Sequence, residues 1–90
     1  MIIAKVIGTV WATKKVPTLE GWKLLVVRTT SSGGPETLVA ADQIGAGVGE
    51  DVLITKGSVS RAAVQGPPSP IDAVVVGIID SLEVERGLLE

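Results

Sequence analysis

Neither cysteine nor histidine occurs in this 90-residue chain. The first absence rules out a disulfide staple and a thiolate metal site. The second removes the commonest metal ligand and the commonest general base. Phenylalanine and tyrosine are also missing, and two tryptophans are the only aromatic residues. Neither sign of charge dominates: 8 basic residues stand against 10 acidic ones, a net charge of −2. No basic block marks a nucleic-acid or anionic-lipid surface. No apolar run approaches the roughly 18 residues that a membrane-spanning helix needs. The start, Met1-Ile2-Ile3-Ala4, has neither a basic segment nor a cleavage site, so no export signal is read there. The expectation is a soluble, cytoplasmic protein with no metal, no cofactor, no nucleic acid and no membrane among its partners.

What is present is aliphatic. Apolar residues make up 46% of the chain, carried by Val, Ile, Leu and Ala, and the mean hydropathy is +0.47. Residues 1–90 suffice for one domain, and so small a domain is marginally stable alone. Its apolar content exceeds what one small core needs. The surplus is read as surface buried between subunits.

β-branched residues fill the apolar runs, and Gly or Pro separates them, which favours strands over helices. Strands are predicted over 2–12, 23–30, 37–42, 51–56 and 72–80. In the first, Ile2, Ala4, Val6, Gly8 and Val10 form one apolar or small face, and Gly8 suggests a bulge or bend. The turn at Gly33-Gly34-Pro35 joins the second and third strands as a hairpin. The stretch 57–70 is a long connection with room for a short helix at 60–64, and 81–90 is a short charged tail. The fifth strand is apolar on both faces, as expected of a strand covered on both sides. One face would fill a barrel and the other would meet a neighbour. Five short strands in this length suit an all-β, partly open Greek-key barrel of the OB type.

Gly45-Ala46-Gly47-Val48-Gly49 invites comparison with a phosphate-cradling loop, but the spacing is wrong. Glu50 and Asp51 follow at once and lead into a strand, not a helix. A turn needing positive φ and close backbone approach explains the glycines better. Asp42, Asp72 and Asp80 stand at strand ends, where carboxylates cap turns. Gly57-Ser58-Val59-Ser60-Arg61 offers hydroxyls without a base beside them, so no nucleophile is read there. Its serines suit a helix cap, and Arg61 suits an ion pair between subunits. No catalytic set is visible, so an enzyme is not expected. An OB-type module for oligonucleotide or oligosaccharide remains the alternative, although Trp11 and Trp22 on an acidic domain make a poor stacking platform.

The combination of motifs is more specific. The stretch Lys5-Val6-Ile7-Gly8-Thr9-Val10-Trp11, then Leu19-Glu20-Gly21-Trp22-Lys23, resembles the opening of the EutN/CcmL family of shell proteins. Ala41-Asp42-Gln43-Ile44-Gly45-Ala46-Gly47 resembles its central turn, and Pro70-Ile71-Asp72-Ala73 with Val76-Gly77-Ile78-Ile79-Asp80 resembles its last barrel strand. The resemblance runs from Ile2 to about Leu82. It implies a five-stranded barrel that forms a cyclic homo-pentamer at the vertices of a bacterial microcompartment, either a carboxysome or a metabolosome such as that for ethanolamine use. Hexameric shell proteins would surround the pentamer, and a narrow central opening would pass small solutes. The role so implied is structural. Gly45, Ala46, Gly47, Gly57, Ser58, Arg61 and Val76 are the expected residues of the subunit interface or pore.

Overall fold

The computed structural model describes residues 1–30, 33–57 and 70–81. The predicted helix at 60–64, Ser58, Arg61 and the tail beyond Ser81 lie outside the described residues. Five strands form: β1 (Ile2–Val10), β2 (Lys23–Thr29), β3 (Thr37–Asp42), β4 (Asp51–Lys56) and β5 (Ala73–Ile78). A 3-10 turn at Pro17–Leu19 interrupts the β1–β2 connection. Each predicted strand is present, with the first, second and fifth trimmed at their ends.

The strands close into a barrel in the order β1-β2-β3-β5-β4. The sequence suggested a partly open barrel. Closure follows from the length of β1, whose first half pairs with β4 while residues from Ala4 onward pair with β2. All pairings are antiparallel except β3–β5, where Ala41 stands opposite Val74 in a parallel register. That seam is covered from outside by a small cluster of Ala41, Ile71 and Val74, packed against Leu19, Trp22 and Leu24. The core inside the barrel comes from alternate positions of each strand, among them Val6, Leu25, Val27, Val52, Ile54 and Val75. With no large aromatic ring to place, short aliphatic side chains fill a narrow interior.

Two bulges reset which residues face out. On β1, Val6 pairs with Val27 and Gly8 with Val26, so Ile7 is the extra residue. Directly opposed residues share a face. Gly8 therefore lies on the outer side with Val26, and a Cβ built on Gly8 would meet the Val26 side chain at 3.7 Å. Thr9 turns inward opposite buried Leu25. The sequence reading of a bulge at Gly8 is sound, but its single apolar face through Gly8 and Val10 is not, because a bulge inverts the alternation beyond it. On β5, Val75 pairs with Ile54 and Gly77 with Leu53, which leaves Val76 as the extra residue. The expectation that one side of β5 fills the barrel is met, and its other side is covered only in part within the single chain. Val74 is buried beneath the outer cluster, whereas Val76 is 36% exposed.

Ile54→Ala is expected to cost about 2–5 kcal/mol, because it opens a cavity in a fully buried site. Val39→Ala, at a side chain 48% exposed, is expected to cost less than about 1 kcal/mol. Urea unfolding of the two variants checks the contrast.

Candidate functional site

Among the described residues, side-chain hydrogen bonds concentrate at the turn between β3 and β4. Asp42 ends β3 with its side chain buried. Its Oδ1 accepts a hydrogen bond from the Ile44 amide at 2.9 Å. Its Oδ2 accepts from the amides of Gly45 and Ala46 at 3.1 and 2.8 Å. A buried carboxylate is tolerable when charge-assisted bonds replace its lost hydration, and three amides do so here. Lys23 donates from Nζ to the Ala46 carbonyl at 2.8 Å. At the far end of the turn, Glu50 Oε1 accepts from the Gly47 amide at 2.6 Å.

The chain then rejoins the barrel. The Gly49 amide donates to the Val6 carbonyl at 2.8 Å, and the Val6 amide donates to the Glu50 carbonyl at 2.9 Å. Next along, Lys5 and Asp51 form an ion pair at 3.1 Å. Gly45 and Gly49 have φ of 103° and 93°, a region that side-chain-bearing residues rarely adopt. This bears out the reading of the glycines as turn residues and of Asp42 as a cap.

The same bonds show what the turn does not do. A phosphate loop needs backbone amides free to meet an anion. Here the Asp42 carboxylate takes the amides of 44–46 and Glu50 takes that of Gly47. The two tryptophans do not form a joint stacking surface either, since Trp22 packs into the outer cluster while Trp11 is 88% exposed. Among the described residues, no group of three or more His, Cys, Asp or Glu is placed to hold a metal. No described helix is long and apolar enough to cross a membrane.

The structure brings some of the expected interface residues together. Gly45, Ala46 and Gly47 share the pinned turn, but their exposure differs. Ala46 is fully buried in the barrel core, Gly47 is half-buried and Gly45 is exposed. Val76 opens into a shallow groove with Trp22, Gln43, Ile44 and Val74. This groove joins the outer face of β5 to the start of the turn at Gln43 and Ile44, and none of the turn glycines lines it. Gly57 stands elsewhere, at the far end of β4, where its amide donates to the Asp72 carbonyl at 2.7 Å. Sequence reasoning passed over Ile44 and Val48, which the pinned turn holds 51% and 64% exposed. Two aliphatic residues in a glycine turn were the available signal.

Comparison with known proteins gives a consistent result. Residues 1–80 match the family model described as ethanolamine utilisation protein EutN/carboxysome. The carboxysome shell vertex protein CcmL of Synechococcus elongatus is 49% identical over 96% of this chain and 90% of its own length. The bacterial microcompartment shell vertex protein PduN of Salmonella typhimurium is 46% identical over 91% and 98%. The solved structure of GrpN, a pentameric microcompartment shell protein from Rhodospirillum rubrum, superposes with a TM-score of 0.78 at 44% identity, covering 94% of this chain and 99% of that one.

Replacing Asp42 by alanine leaves three turn amides without their acceptor and is expected to cost about 2–4 kcal/mol. Asp42→Asn keeps one acceptor oxygen and is expected to lose less. Urea unfolding gives the ranking, and amide hydrogen exchange at 44–46 should accelerate most in the alanine variant.

Proposed function

The chain belongs to the EutN/CcmL family, and from that membership we propose that it is a structural shell protein of a bacterial microcompartment, working as a pentamer at the shell's vertices. The observation that carries this reading is the likeness of the whole barrel to a pentameric shell protein, across 94% of the chain. Relatives named as shell vertex proteins come from both carboxysomes and other microcompartments. The role is assembly and not catalysis, and the OB-type binding module is not favoured. Residues 1–90 are taken as a single shell-protein domain located in the shell.

The physical logic is that of symmetry. A sheet of hexagonal tiles lies flat, and pentagonal tiles give it the curvature to close. The protein's contribution is then its rotational order, with hexameric shell proteins of the same compartment around its rim. Ring closure requires each subunit to present two different patches. We assign one of them to the groove that carries Val76 and the exposed part of the glycine turn, Gly45 and Gly47, with Ala46 supporting it from the core. Gly57, Ser58 and Arg61 are assigned to the same interface or to the central opening. The surface around Val76 supports this, since an aliphatic side chain is left open to water there while Ala73, Val74 and Val75 of the same strand are buried.

Native mass spectrometry tests the reading directly. Five copies of a 9.2 kDa chain give about 46 kDa, and a stable monomer or dimer at micromolar concentration would overturn it. Val76→Asp is expected to leave the barrel folded, with near-normal circular dichroism, because the side chain is already partly solvated. The same variant should shift the mass distribution towards smaller species. Unchanged pentamers would remove Val76 from the interface.

A further inference from the structure

A second groove, of about 380 Å³, lies on the outside of the barrel away from Val76. It is lined by Lys5 and Ile7 of β1, Arg28 and Thr29 of β2, and Thr30 and Pro35 from the connection to β3. Ile7, the bulge residue, is 46% exposed. Here Asp51, Lys5, Arg28 and Thr37 stand opposite one another in turn, from β4 through β1 and β2 to β3. Directly opposed residues share a face, and like charges so placed destabilise a sheet. This row sets two cations side by side with one carboxylate. Asp51 binds Lys5 at 3.1 Å. Arg28 is exposed and has no ion pair among the described residues. Glu36, just before Thr37, is engaged by Lys56 at 2.7 Å. The groove therefore suits an occupant with an aliphatic side for Ile7 and Pro35 and a carboxylate for Arg28.

The chain leaves the barrel at one end of the same row. Val52 stands opposite Ile78, and the Ile79 amide donates to the Asp51 carbonyl at 2.8 Å. Three strand spacings, about 14 Å, separate that point from Arg28. Five extended residues span about 17 Å. Beyond Ser81 the sequence reads Leu82-Glu83-Val84-Glu85, aliphatic and acidic in alternation, and residues 81–90 carry three glutamates against one arginine. This stretch lies past the family match, which ends at residue 80. We infer that residues 82–85 dock in the groove of their own chain, with Leu82 and Val84 against Ile7 and Pro35 and the Glu83 and Glu85 carboxylates at Arg28. Attachment through Ser81 keeps the segment at high local concentration, so a modest charged contact suffices to hold it. The segment is the occupant that fits, because it brings both chemistries within reach. The contact is a strap inside one chain and stands apart from the pentameric reading.

The chain has no native cysteine, which allows a disulfide test on the full-length protein. Ile7→Cys with Val84→Cys places a pair across the groove. Val39→Cys with Val84→Cys is the comparison, on the exposed outer side of β3. Both are oxidised mildly and followed by mass under denaturing conditions. The groove pair should close within one chain at least about ten-fold faster, because docking raises its effective concentration. Arg28→Glu should lower the groove rate to that of the comparison pair. Glu83→Lys with Glu85→Lys should do the same without touching the barrel, and combining them with Arg28→Glu should restore the fast rate. Equal rates for the two pairs would overturn the inference, since the tail would then visit the surface without preference. Links between chains would also overturn it, because the groove would be holding another copy's tail. So would a groove rate indifferent to both charge changes.

Discussion

The Asp42 carboxylate is the constraint on which the barrel depends. It binds three successive amides of the turn that follows it. By doing so it sends the chain from the end of β3 across the mouth of the barrel, with Ala46 tucked into the core on the way. That path ends with Gly49 and Glu50 hydrogen-bonded to Val6, which lays β4 alongside β1. The last gap in the sheet closes by this route. A carboxylate buried at the centre of a turn is costly unless fully bonded. It is also a specific choice, because few other geometries would satisfy it.

Around that fixed point, the chain solves two packing problems with one kind of side chain. Inside, a five-stranded barrel is narrow and suits Ala, Val, Leu and Ile better than aromatic rings. Outside, the same residue types continue at Leu24, Val26, Val39 and Val76, although a monomer in water gains nothing from showing them. The bulges at Ile7 and Val76 make the doubling possible, because each breaks the strict alternation that would otherwise assign every second residue to one side. The excess of apolar residues in the composition is thus distributed over two surfaces, one internal and one external.

Much of this was legible in the residues. The five strands, the hairpin at Gly33-Gly34 and the capping role of Asp42 follow from alternation, turn chemistry and the preference of Asp for amide-rich turns. The family was legible from the combined motifs. Three things were not. Barrel closure depends on β1 serving two neighbours, and a strand's partners are not written in its own sequence. The inward turn of Thr9 depends on where the bulge falls, and one residue of slip inverts the face. The exposure of Val76 against the burial of Val74 depends on Trp22, which arrives from a distant part of the chain and joins Ile71, just before β5, over the β3–β5 seam. Among the expected interface residues, Val76 lines a groove that reaches the turn at Ile44, yet Ala46, two residues from exposed Ile44, is buried in the core.

Closure of the barrel has a consequence for how copies of the chain can associate. An open sheet ends in a strand whose amides and carbonyls are unsatisfied, and such an edge recruits further strands without limit. A chain as rich in Val and Ile as this one, with an edge left open, would be a candidate for fibres. Here each described strand has a partner on both sides, so the described barrel has no strand with a wholly free edge. Contact between copies over the described barrel then rests chiefly on side chains, whose shape and charge can fix an angle. A finite count, rather than endless growth, is what such recognition permits.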